Sequence, residues 1–519
     1  MSVRAIPKLL LMIVVAAGLS LIGTVAAQSG DKVLRVSISG PMITFDPANY
    51  RSRINENVIR NMFDALYTIN TAGEHVPEIA ESLTQVDDTV WEFKIREGIR
   101  FHNGDPLTAA DVAFSYNRVA VEGAMDGETS PRQPLMYGLQ FVEEIDEYTV
   151  RFHYDTVVPE LRVLTGAVLM QVMPKDYFEE VGIDGFLANP VGAGPFKFRE
   201  ADFAERIVLD RFDDYWGGAP GLLGEPGPAP ADRLIFEVVP DPTSRLAALR
   251  AGDLDVIQAV LPDQLPVVES DPNVVLKTAP GTVLVFLAFT TTREPFDDPA
   301  VRRAIAYAID YDLLVDAAFA GAADPLNGLQ TIWSSEISNP GEVPYTYDPE
   351  RAIQELTAAG VDVANFDLVI DSVATWSVVA EAVAQMLRDI GINAQTRVWE
   401  LGAMEAAVRA GDRQAVVHTW GNSSGSPLWV QSPNALSTGF TLWTANQEFW
   451  DLIDQAADST DPDQRIALFR RVFDIHNEEL PLITLALPRA LDAARANVLH
   501  FEAHPTGRIN MHRVSKVGW

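Results

Sequence analysis

Gly421-Asn422-Ser423-Ser424-Gly425 is the stretch of this 519-residue chain whose residue types come nearest to those of an enzyme. It fits GxSxG, in which a strand enters a strained turn, a helix leaves it, and the serine hydroxyl is held out to attack a carbonyl. The entering half is met, because Gln414 to Trp420 reads as a strand. The leaving half is not: Ser426-Pro427 and then Pro433 follow where the turn needs a helix. A polar loop at a strand end is the expectation, and an exported serine hydrolase built on Ser423 is its competitor.

The other reactive types are dispersed. Gly192-Ala193-Gly194-Pro195 carries two of the three glycines of a dinucleotide fingerprint, but Lys197 stands at the third position and no helical pattern follows. Eight histidines include no HExxH and no pair four apart on a helix, so no zinc site is indicated. His418, close to Trp420, reads as a structural or pocket-wall residue. With no cysteine, thiolate metal sites, disulfides and cysteine nucleophiles are excluded. Carboxylate pairs such as Asp87-Asp88 and Glu143-Glu144 fall where solvated faces are expected. No metal, cofactor or catalytic activity is implied.

Charge excludes another class. With 72 acidic against 39 basic residues the formal net charge is -33, and such an anion is repelled by nucleic acid and by an anionic membrane surface. At the N-terminus Arg4 and Lys8 precede the apolar run Leu9 to Ala17, and Val25-Ala26-Ala27 then offers small residues for cleavage before Gln28. That is the form of a secretory signal peptide over residues 1–27. No later run is long and apolar enough to span a membrane, so a soluble, periplasmic or secreted monomer is expected.

The elements that would position any site alternate between strand and helix, as in an α/β fold. Val33 to Ile38, Trp91 to Ile95, Thr149 to Phe152 and Leu234 to Val239 read as strands. Helix is expected from Glu56 to Tyr67, after a Thr108 cap, from Ser244 to Ala251, after Asp298-Pro299, over Val379 to Ile390 ending at Gly391, and after Asp461-Pro462. Gly217 to Ala231, dense in Gly and Pro, reads as a surface excursion.

Four ordered blocks carry a resemblance. Trp91 to Gly104 (WEFKIREGIRFHNG) with Pro106 to Val112 (PLTAADV), Asn189 to Phe196 (NPVGAGPF), Arg245 to Asp255 (RLAALRAGDLD) and Pro295 to Asp310 (PFDDPAVRRAIAYAID) resemble the family 5 extracellular solute-binding proteins of ABC importers. The resemblance implies a periplasmic-binding-protein-like (type II) clamshell with an additional inserted small domain. Lobe I would comprise 28–70, 191–289 and 492–519, lobe II would be inserted over 71–190, and lobe III would span 290–491. Ligand would be enclosed between lobes I and III and delivered to a permease and ATPase complex. A sensory binding protein for a membrane receptor would use the same closure.

In peptide-binding relatives an aspartate three residues after a loop tryptophan pairs with the ligand's ammonium. The matching loop here is Trp420-Gly421-Asn422-Ser423, with Ser423 in the aspartate position. The arginine that precedes a lobe III helix in dipeptide binders is missing from Asp371 to Ser377. Losing a charge-assisted bond of about 1.5–3 kcal/mol weakens a zwitterion clamp unless Asp371 takes the ammonium role. Trp376, Trp399, Trp420, Asn422, Ser423 and Ser424 would suit an uncharged, polyhydroxylated or amide ligand. Tyr50, Arg51 and Arg53 occupy the lobe I stretch that faces ligand in relatives, where an arginine would take a carboxylate such as that of an opine. The expected ligand is an oligopeptide, oligosaccharide or opine-like solute.

Overall fold

The structure, a computed structural model, describes residues 31–136, 138–219, 227–326, 345–421, 439–443 and 447–519. The leader expected over 1–27, the residues Asn422, Ser423 and Ser424, and positions 220–226 of the Gly- and Pro-rich stretch lie outside those residues.

Seven strands form the first sheet, in the order Val274–Ala279, Ala490–Arg495, Val256–Ile257, Val33–Ile38, Arg233–Val238, Arg206–Arg211 and Phe196–Asp202. Val33–Ile38 lies at its centre, parallel to both neighbours. Six strands form the second, ordered Ala323–Pro325, Leu482–Pro488, Val283–Phe289, Ala415–Gly421, Asp367–Val373 and Asn393–Trp399. The helix Ser377–Asp389 connects the parallel strands Asp367–Val373 and Asn393–Trp399. This is the mixed α/β, two-lobed type II architecture. A four-stranded antiparallel sheet, Ala80–Asp87, Val90–Ile95, Thr149–Tyr154 and Leu139–Asp146, is inserted between segments of the first and packs on the helix Ala109–Ala120.

Val283–Phe289, VLVFLAF, shows why sequence pattern and layer agree. Val285, Leu287 and Phe289 enter one apolar core while Leu284, Phe286 and Ala288 enter another. Side chains alternate across a strand, so a sheet covered on both faces needs an unbroken apolar run. This strand, expected in lobe I, pairs in the second sheet; the chain crosses between Ala279 and Val283. It returns at Arg489, between Leu482–Pro488 and Ala490–Arg495. The two large sheets are therefore joined by a pair of antiparallel crossings, and a Cβ on Gly281 would stand 1.7 Å from the Pro488 carbonyl oxygen.

Capping follows the sequence signals. Asp298 accepts from the Ala300 N–H at 2.8 Å, Asp461 from Asp463 and Gln464 at 3.0 and 3.3 Å, and Gly391 takes φ +103° just beyond its helix. The helix expected over Glu56 to Tyr67 is shorter and begins earlier, at Arg53–Ile59. Asn57 and Asn61 account for the stop: Asn61 donates to Asn57 O at 2.7 Å and Ile509 O at 3.0 Å, binding the chain to the C-terminal segment, and Tyr67–Ile69 becomes a strand. Gly192 and Gly194 serve close approach, since a Cβ on either would lie 2.1 Å from Met62 O or 2.5 Å from Met62 C. His102 bridges the same turn, with Nε2 3.0 Å from Gly194 O, and burial lowers its pKa to about 4.

Candidate functional site

Beside the double crossing, a cavity of about 520 Å³ opens between the two large sheets. One wall comes from the first sheet's side: Arg53 at the start of its helix, and Gln258 to Pro262 following the strand Val256–Ile257. Phe319, Trp376, Val378 and Val379 form the opposing wall. The crossing itself supplies the floor, from Pro488 through Asp492. Leu261 and Val378, on opposite walls, keep 40% and 57% of their surface exposed. Two apolar side chains left uncovered across a cleft make a surface that a ligand or lobe closure can bury.

Charge of both signs enters this apolar lining. Arg53 is held by Glu56 one turn along its helix, and Glu56 also takes Arg60 at 2.8 Å and Arg508 at 2.9 Å. Burial pushes the Glu56 carboxyl upward, yet Arg53, Arg508 and Arg60 together hold it well below the usual range. Arg489 reaches Asp324, its Nε 3.2 Å from Oδ1. Asp492 is 3% exposed; Oδ1 accepts from the Ala259 N–H at 3.2 Å, and Oδ2 has no hydrogen-bond partner. Burial raises its carboxyl to about 7, against the lowering effect of the Ala259 N–H.

Among the residues expected at the site, the cavity gathers Trp376 and Arg53. Asp371 and Trp399 come together elsewhere, in a closed polar cluster. The fully buried Asp371 carboxylate accepts from Arg397 at 2.7 and 3.0 Å and from Trp399 Nε1 at 2.8 Å, with Arg413 at 3.6 Å. Both oxygens are engaged by protein, which corrects the expectation that Asp371 stands free for an ammonium. Trp420 and His418 lie at the end of Ala415–Gly421 and pack on Phe440, with ring centroids 5.6 and 4.4 Å away. Tyr50 is turned from the cleft: it is buried, donates to Gln171 at 3.0 Å and lies under the Arg132 guanidinium. Arg51 is exposed.

Asp492, Gln258, Leu261 and Phe319 were missed from sequence. For Asp492 a signal existed, since Leu491, Ala493 and Ala494 are apolar neighbours in a strand where an unpaired acid is costly. The other three are ordinary residues in ordinary patterns, and only the packing of the lobes brings them to one cleft.

Fold and cleft together define a binding protein that clasps a solute between lobes. The family model for bacterial extracellular solute-binding proteins, family 5 Middle, matches residues 74–441, and the chain belongs to that family. It is 26% identical over 494 residues to the glutathione-binding protein GsiB of Shigella flexneri, covering 91% of this chain and 92% of that protein. HbpA2 from Haemophilus parasuis shares the fold with a TM-score of 0.82 at 24% identity, over 93% of this chain and 99% of the other. A dipeptide-binding protein from Pseudoalteromonas sp. SM9913, solved with Met-Leu, superposes with a TM-score of 0.72 at 22% identity, over 93% and 100%. No helix among the described residues is long and apolar enough to cross a membrane.

Proposed function

We propose that this chain is the extracytoplasmic, non-catalytic binding subunit of an ABC importer, holding a short peptide or an amino-acid derivative of similar size between its two larger lobes. The cavity at the double crossing carries the reading. It has the size of a small-ligand site, both lobes contribute walls, and charges of both signs interrupt an apolar lining. A sugar site would present a denser set of neutral hydrogen-bonding groups than these walls do. Relatives named for glutathione and crystallised with a dipeptide support an amino-acid-derived solute.

Trp376 and Arg53 are the proposed contacts from opposite lobes, the indole covering apolar surface and the guanidinium facing a ligand carboxylate. Trp420 with Asn422, Ser423 and Ser424 stays in the proposed contact set on the sequence argument. Native mass spectrometry of the exported protein, followed by denaturing extraction, tests the ligand class. A bound mass in a peptide series is expected; a hexose-spaced series would overturn the peptide reading and return the site to carbohydrate.

A further inference from the structure

We propose that Asp492 is the carboxylate that receives a ligand's ammonium group in this cleft, so that the protein selects solutes with a free amine. The assignment rests on the peptide reading above and adds the residue that sets its specificity.

Asp492 lies on the return crossing, in the floor of the cavity. Its Oδ2 makes no hydrogen bond although the residue is almost wholly buried, and a buried carboxylate oxygen left without a donor is a standing cost. Among the described residues no cation is ion-paired with it. Arg53 is taken by Glu56, Arg489 by Asp324, and Lys277, its cross-strand neighbour on Val274–Ala279, makes no ion pair with it. An ammonium entering the cavity would therefore meet an acid for which no protein cation competes.

The backbone around it is built to hold this arrangement. Ala259 adopts φ +54°, a left-handed conformation that residues with a Cβ seldom take, while its N–H donates to Asp492 and its carbonyl accepts from Arg245 at 3.3 Å. Strain of this kind persists where surrounding contacts enforce it, and here they fix one oxygen and leave the other, buried at the cavity floor, without a donor. Asp371, a buried acid in the second sheet, already has its donors.

Calorimetry on the exported full chain tests this with Met-Leu, N-acetyl-Met-Leu and glutathione as probes. The wild type is expected to bind Met-Leu at least tenfold more tightly than its acetylated form. Asp492→Asn, close to isosteric, should erase that preference while leaving the acetylated peptide within about twofold and the circular-dichroism spectrum unchanged. If Asp492→Asn keeps the tenfold preference, or if the wild type shows none, the ammonium is received elsewhere and the assignment is overturned while the peptide reading survives. Binding of neither Met-Leu nor glutathione by the wild type would remove the peptide reading itself, and the assignment with it.

Discussion

Trp376 and Asp492 show how single side chains divide the work of the cleft. The indole is half-buried on the cavity wall that belongs to the second sheet's side and makes its remaining contact area available to solute. Trp376→Ala should weaken binding by at least tenfold, about 1.4 kcal/mol, with the fold retained; isothermal titration beside circular dichroism would show whether affinity moves without structure. Asp492 has a consequence even without ligand. Its folded pKa, near 7, stands above its ordinary value of 3.8, so the folded state binds the extra proton. That contribution is fully present below about pH 4 and is lost as pH rises to about 7, on the order of 4 kcal/mol at most. The stability difference between wild type and Asp492→Asn, read from urea unfolding at pH 4 to 8, should therefore move against the wild type as pH rises. A difference that is flat with pH would mean that the carboxyl is not held neutral.

Asp371 teaches the opposite lesson. Its carboxylate is a structural anchor that ties Asp367–Val373 to Asn393–Trp399 through Arg397 and Trp399. Removing one partner of a buried pair leaves the other uncompensated, and Asp371→Ala should cost about 3 kcal/mol in a denaturant titration. A cost under 1 kcal/mol would show that the cluster is solvated.

At the scale of elements, the crossings decide how the lobes can move. Gly281 passes so close to the Pro488 carbonyl that any side chain must push the two crossing segments apart. Overpacking of this sort costs about 1–3 kcal/mol, and Gly281→Ala should lower the melting temperature by several degrees while leaving the first sheet's register intact. An unchanged melting temperature would mean that the crossing yields freely. The inserted sheet is fixed differently, by Arg118 of the helix Ala109–Ala120 donating to both oxygens of the buried Asp46 at 2.8 and 2.9 Å. Much of this was legible in sequence because it is local: Asp298-Pro299, Asp461-Pro462 and Gly391 mark helix ends through backbone chemistry that needs no partner. The premature stop at Ile59 and the membership of Val283–Phe289 in the second sheet were not legible. Both depend on residues hundreds of positions away, Ile509 and Leu482–Pro488 among them, and no window of sequence contains those contacts.

For the molecule as a whole, binding is closure, and closure needs a ligand that discriminates between states. A solute with equal affinity for open and closed forms shifts nothing, and a change from 1:99 to 99:1 needs about 10⁴-fold preference, roughly 5.5 kcal/mol. The cleft offers sources for that difference on both walls: Leu261 and Val378 keep exposed apolar surface that closure over a solute would bury, and Asp492 lies in the floor against which a solute would be pressed. Two narrow crossings, at 280–282 and at Arg489, confine the bending to a few backbone torsions and let each sheet move as a rigid body. Small-angle scattering should then show a smaller radius of gyration when a saturating peptide is added, with no loss of secondary structure. The decrease should be blunted in Trp376→Ala at the same peptide concentration, because the variant loses contacts made across the cleft. A radius unchanged by a peptide that calorimetry shows to be bound would mean that the lobes are already closed without solute, and the discriminating contacts would then have to lie within one lobe.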